Sequence, residues 1–264
     1  MITYLRIKRE RIGRCNICLE DSSLSWDHVP PQGSIDLGRV EMESLLGRMT
    51  TASQVKGTAI SQNGVKYRTI CSNCNSKLGA RFDPVLNKFS SDVGLFLKSG
   101  LEIPRYININ SRPTALIRSV IGHLLAASMS PDGGLGSKNI GEFLFDESAQ
   151  IPPGISVFYW IYPYTTIAVV RDIGMPAVRG RFDKVGLFNI LKFFPIAYLV
   201  TDIPAYEHLQ ELTIFRQYPA TYEADVSVDL QSAKDPRWPD VIEDGNVIVG
   251  GAPLQSSIYA RPKH

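Results

Sequence analysis

The 264-residue chain has only four cysteines, and none falls after position 74. So few thiols exclude a disulfide-dense secreted scaffold. No run of 18 apolar residues occurs, which leaves no candidate for a membrane-spanning helix. The opening MITYLRIKRER is charged and lacks an apolar signal core followed by a small-residue cleavage site. A cytoplasmic protein with no membrane partner is expected. Neither G-x-x-x-x-G-K nor G-x-G-x-x-G is present, so the chain encodes no ATP motor. Internal repeats and low-complexity tracts are also missing.

Hydrophobic residues make up 44% and charged residues 20%, ordinary values for a globular protein of one large or two small domains. Net charge is only +2, but it is unevenly spread. Residues 1–100 carry 14 Lys+Arg against 9 Asp+Glu, whereas residues 101–264 carry 14 against 17. The basic half is the better candidate for meeting a polyanion.

Local patterns give a coarse outline. Residues 2–8 suit a strand, as do Leu24–His28, which Pro30-Pro31 would end. A helix is expected around Val40–Met49. Ala59–Ile70 reads as a hairpin turning at Gln62-Asn63-Gly64, since Asn-Gly between β-prone runs is a strong hairpin signal. Helices are expected from near Cys74 through Phe82, over Asp83–Ser99 and over Pro113–Met129. β-rich runs follow at Ile155–Tyr162, Thr165–Arg171 and Phe188–Thr201, the first two joined as a hairpin by Pro163-Tyr164. Residues 130–138 read as a loop and 219–264 as irregular. A soft boundary near residue 100 divides the chain into 1–100 and 101–264. The predicted class is α+β, with an antiparallel sheet in the second part.

The cysteines form two pairs, Cys15-x2-Cys18 and Cys71-x2-Cys74. Two such knuckles supply four thiolates, which suits a tetrahedral structural zinc. The 52 residues between Cys18 and Cys71 must then hold a folded insertion, and that insertion contains Asp27-His28. A zinc here would pin the strand entering Asp27-His28 against the helix starting at Cys74, bringing His28 near Asn75. A carboxylate, an imidazole and an amide oxygen around one point favour Mg²⁺ or Mn²⁺ over a second zinc.

The order Cys15-x2-Cys18, DHVPP (Asp27 to Pro31) and CSNCNSKLG (Cys71 to Gly79) resembles the HNH endonuclease motif in its zinc-stabilised form. The resemblance covers about residues 12–82. It implies an N-terminal ββα-metal domain with structural zinc and phosphodiester hydrolysis, with DNA the expected substrate and double-stranded DNA the expected form. It also implies His28 as general base, Asp27 and Asn75 as ligands of Mg²⁺ or Mn²⁺, and 5′-phosphate and 3′-hydroxyl products. Most members carry a central Asn about five residues before the second cysteine pair. Lys66 stands at that position here, and Asn63 lies in the neighbouring turn. The pattern is similar to HNH proteins of bacterial anti-phage defence.

Lys66, Arg68, Lys77 and Arg81 flank the motif and could hold a phosphate backbone. Trp26 reads as a packing residue rather than a base-stacking platform, and His123, in an apolar helix, as a core histidine. Tyr159, Trp160, Tyr162 and Tyr164 read as core or cross-strand aromatics rather than a nucleobase cage. Residues 101–264 are assigned regulation, substrate selection or assembly, with an activating partner or signal left open. One metal site per chain favours a homodimer for double-strand breaks. The rival reading is a non-catalytic zinc-ribbon module that binds nucleic acid or protein.

Overall fold

The computed structural model describes residues 5–35, 38–45, 58–100, 102–132, 134–135, 138–178, 181–203, 209–239 and 256–263. Among the described residues, three antiparallel sheets and four α-helices make up an α+β fold. None of these helices is long and apolar enough to cross a membrane.

The first sheet joins β1 (Ile12–Arg14), β2 (Asp21–His28) and β5 (Lys66–Cys71) in the order β1-β2-β5. β5 runs directly into α1 (Ser72–Arg81), and α2 (Asp83–Lys98) follows after Phe82, with a proline in its first turn. Cys71 caps α1, its sulfur accepting the Cys74 backbone N–H. This takes the role an Asp or Ser side chain usually has at that position.

The second sheet has eight strands in the order β11-β7-β10-β9-β8-β13-β3-β4. Its members are β3 (Val40–Ser44), β4 (Thr58–Ser61), β7 (Ser156–Ile161), β8 (Ile167–Val178), β9 (Arg181–Phe193), β10 (Ile196–Thr201), β11 (Gln210–Glu211) and β13 (Ile258–Pro262). Every residue of β7 and β10 is buried. Alternate residues therefore serve two cores, one on each face of the sheet. Tyr159, Ile161, Tyr198 and Val200 join the larger core, and Phe158, Trp160, Ala197 and Leu199 the smaller one. A two-stranded ribbon of β6 (Tyr106–Ser111) and β12 (Ala224–Asp229) completes the strands.

Between the first two sheets lies α3 (Pro113–Ala126), all of whose residues are buried. A buried helix end needs partners for its last carbonyls. Three different parts of the fold supply them. Asn16 Nδ2 donates to Leu125 O at 2.8 Å and Ser128 O at 2.7 Å, Thr69 Oγ1 donates to Ala126 O, and Arg171 Nη1 donates to Leu124 O. The cysteine knuckle, β5 and β8 are thus tied to one helix terminus. The remaining helix, α4 (Lys138–Phe145), rests on the same knuckle: a Cβ at Gly141 would lie 2.1 Å from the Ile17 carbonyl oxygen, so only glycine allows this approach.

Several local expectations change. Residues 40–44 are a strand, not a helix; residues 46–49 of that expected helix lie outside the described residues. Residues 5–8 form no strand, although Lys8 makes an isolated bridge to Arg68; residues 2–4 of that expected strand also lie outside the described residues. The runs on either side of Asn63-Gly64 do not pair. β4 joins β3 in the large sheet and β5 joins β2 in the small one, so the turn is a crossover between sheets. Likewise β7 pairs with β10 and β11 rather than with β8 across Pro163-Tyr164. The run 188–201 is two strands that fold back on each other at Phe194-Pro195. The stretch 219–264 contains β12 and β13. Turn chemistry sets where a chain bends, but a strand's partner depends on which edges are open in the assembled sheet. Pairing of β3 with β13 crosses the soft boundary at residue 100, and one apolar core includes residues from Cys15 to Ala260.

Candidate functional site

The first knuckle follows β1, and the second spans the junction of β5 and α1. The Sγ atoms of Cys15, Cys18, Cys71 and Cys74 lie within 4.8 Å of one another, and Cys18 Sγ is 4.0 Å from Cys71 Sγ. Tetrahedral thiolate ligation with metal–sulfur bonds near 2.3 Å puts sulfurs about 3.8 Å apart, so the cluster has the dimensions to hold a metal ion. Backbone N–H groups of Ile17 and Cys71 point at Cys15 Sγ at 3.4 and 3.2 Å. A hydrogen bond from Cys74 and these amides draw the Cys15 thiol down to about 4 against the effect of burial. Burial pushes Cys18 up to about 11. One thiolate is favoured in the free cluster; a bound cation would favour all four.

From this anchor β2 runs to Asp27 and His28, which alternate between its two faces. Asp27 turns inward and is 5% exposed. Its Oδ2 meets His123 Nδ1 of α3 at 2.9 Å, and His123 Nε2 meets Asp83 Oδ1 of α2 at 2.9 Å. Ser119 Oγ donates to the same Asp83 oxygen at 2.9 Å. Burial opposes charge on His123, but the attraction and hydrogen bonds of Asp27 and Asp83 outweigh it and hold the imidazole well above its usual range. Burial likewise works against the Asp83 carboxylate, yet His123 and Ser119 together keep it below its usual value. His123 is therefore a buried cation clamped between two anions as well as a core residue. The sequence signal was the polar trio Ser119, His123 and Asp83, with the first two one helical turn apart on a mostly apolar helix.

His28 turns outward and is half-buried. It hydrogen bonds to the backbone of Asn63, while its Nε2 is buried without a partner among the described residues. Burial, chiefly, lowers the imidazole's proton affinity; Asp27 opposes this, and Lys66 and His123 add to it. A neutral ring with a free Nε2 lone pair is the form that can accept a proton. Asn63 reaches His28 through its main chain, and Lys66 lies directly opposite His28 on β5.

Asn75, in the first turn of α1, donates from Nδ2 to Trp26 O at 2.8 Å and to Ser25 Oγ at 3.1 Å. The helix is thereby tied to β2 one residue before Asp27. No hydrogen bond involves Asn75 Oδ1 among the described residues; Asp27 turns to the opposite face of β2 from His28, so the carboxylate and the imidazole expected around one point are not on the same side of the sheet. The basic residues divide. Lys66 and Arg68 share the His28 face of β5, with Lys66 Nζ 5.5 Å and Arg68 Cζ 5.4 Å from the Trp26 ring centroid. Lys77 and Arg81 turn instead toward α4 and the residues after it: Lys77 Nζ lies 5.3 Å from the Phe145 ring, and Arg81 pairs with Glu147 at 3.6 Å. Trp26 itself is 39% exposed, an outward position that its reading as a packing residue does not predict.

Comparison with protein-family models, with curated proteins and with solved structures finds no match for this chain.

Proposed function

We propose that this protein is a metal-dependent nuclease of the HNH type that hydrolyses nucleic-acid phosphodiester bonds, with DNA the expected substrate. The observation that carries the reading is His28: its ring is held by the Asn63 backbone and its buried Nε2 has no partner among the described residues, on a β2–β5–α1 unit cross-braced by four clustered cysteines. Zinc is the natural occupant of four thiolates at these separations, with a structural role. β2, β5 and α1 then correspond to the ββα-metal unit, and the Asn63 main chain fills the orienting role of the central motif residue.

In the proposed reaction neutral His28 takes a proton at Nε2 from a water as the water oxygen attacks phosphorus. The bond to the 3′ oxygen breaks, leaving 5′-phosphate and 3′-hydroxyl ends. Mg²⁺ or Mn²⁺ held by Asp27 and Asn75 would offset charge building on the non-bridging and leaving oxygens. His123 fixes Asp27 Oδ2 and so orients Oδ1, while Asn75 Nδ2, held by Trp26 O, orients its own Oδ1. The face with Lys66 and Arg68 would position the backbone. Residues 101–264 supply α3, and with it the His123 clamp. A place in anti-phage defence and a homodimeric form remain part of this proposal.

The test is cleavage of DNA and RNA, single- and double-stranded, with Mg²⁺ or Mn²⁺. His28→Ala should lower cleavage 10²–10⁴-fold with zinc content and circular dichroism unchanged. Asp27→Ala and Asn75→Ala should also lose activity, but excess Mn²⁺ should partly restore them and not His28→Ala. Wild-type rates in the His28→Ala protein would remove the mechanism. A second reading, a zinc-ribbon binding module, is favoured by the burial of Asp27, whose pairing with His123 is complete without a divalent ion. Wild type that binds nucleic acid and cuts none of these substrates would select it.

A further inference from the structure

On the outer face of the first sheet, one row of side chains crosses three strand positions. Lys8 bridges to Arg68, and Arg68 lies opposite Trp26. The next row pairs Lys66 with His28. Paired residues in a sheet share a face, and rows two residues apart lie about 7 Å from each other. An exposed indole thus has Lys66 Nζ and Arg68 Cζ over its ring at 5.5 and 5.4 Å from the centroid, with Lys8 one strand beyond Arg68 and the outward-facing His28 in the next row. The arrangement is braced. Arg68 donates from Nε at 3.2 Å and Nη2 at 2.8 Å to Arg9 O, which holds the guanidinium near the indole, and Asn75 fixes the Trp26 carbonyl.

We propose that this face binds single-stranded nucleic acid, with one unpaired base stacked on Trp26 and the flanking phosphates held by Lys8, Lys66 and Arg68. An aromatic ring ringed by cations matches a nucleotide part by part: the base offers a π-face and the backbone offers charge. A duplex base keeps its faces stacked on its neighbours, so the indole selects an unpaired or extruded base. The adjacent row then lies within reach of the neighbouring phosphate, at His28. Only that last step rests on the nuclease reading; the binding does not.

The test measures binding to labelled oligothymidylate, to an abasic strand of equal length and to a duplex of equal length, with His28→Ala protein at fixed salt so that nothing is cut. The oligothymidylate should bind at least roughly ten-fold more tightly than the abasic strand, the loss expected when a stacked base is removed, and more tightly than the duplex. Trp26→Ala should abolish that preference, and Trp26→Phe should keep part of it. Equal affinity for the oligothymidylate and the abasic strand would overturn the proposal, and this arm needs no Trp26 variant to fold. Tighter binding to the duplex would do the same. If base-dependent binding is found but wild type cuts nothing, the nuclease reading fails and the platform stands. Cleavage that depends on His28, without base-dependent binding, would remove the platform and leave the nuclease reading in place.

Discussion

On the inner face of the β2–β5 pair, His123 has a carboxylate at each ring nitrogen and keeps its proton. On the outer face His28, bonded to a backbone carbonyl and beside Lys66, gives its proton up more readily than a free histidine. Asp27 influences both rings, yet they titrate in opposite directions. Burial disfavours the charged form of each, so the difference lies in the partners. Two anions in contact overcome desolvation; one carboxylate on the opposite face does not. The inner face holds a charge in place, whereas the surroundings of the outer ring favour its neutral form.

The largest effect should come from removing what both faces share. Cys71→Ser removes one of the four clustered sulfurs while leaving a hydroxyl that can still cap α1, so its effect reports on the metal cluster. We expect loss of bound zinc and of cooperative unfolding, because structural zinc contributes about 10–16 kcal/mol to small metal-folded units. Elemental analysis and a thermal melt check this; a variant with full zinc content and an unshifted melt would separate the cluster from the fold.

Next in size is the inner clamp alone. Asp83→Asn leaves His123 with one anion instead of two, and breaking a buried charge pair costs about 3–5 kcal/mol. Urea unfolding should show the loss. The pH dependence follows by linkage. His123 has a raised folded pKa, so its stabilisation is complete below the unfolded value of 6.5 and fades as pH climbs toward the folded one. Asp83, whose folded pKa is depressed, stabilises above 3.8 and loses that contribution as pH falls toward its lower folded value. The alkaline decline should flatten in Asp83→Asn; an unchanged slope would mean the clamp does not hold the proton.

The outer face is sharpened by a pH–rate profile. A base with lowered proton affinity should hold kcat/KM level as pH falls through 6.5, with the acid limb appearing only below it. An acid limb above 6.5 would contradict the environment described for His28. The smallest effect separates the two pairs of cations. Lys66→Ala should reduce the salt dependence of nucleic-acid binding by about one unit of slope. Lys77→Ala should leave it unchanged, because that ammonium lies over Phe145.

Most of the site's raw material was legible. Cys-x2-Cys spacing is short enough that a turn alone brings two sulfurs together. The elements carrying the motif, β2, α1 and α2, follow from apolar periodicity and from the prolines at their ends. The four basic residues all flank the motif in sequence, but helix geometry turns Lys77 and Arg81 toward α4, while strand alternation leaves Lys66 and Arg68 beside Trp26. The Asn63-Gly64 bend was legible as a bend and misleading as a hairpin.

The sequence by itself determined the chain's local geometry: the two knuckles, the strand that ends at Asp27-His28 and the apolar helix at 113–126. These depend on contacts a few residues apart. Tertiary structure alone decided that His123 meets Asp27 across 96 positions, that β4 and β5 part company after a tight bend, and that Trp26 faces outward. Each of those outcomes is a choice among distant partners. A side chain's charge, burial and pairing are properties of the neighbours that packing supplies, and residue order constrains those neighbours only through the whole fold.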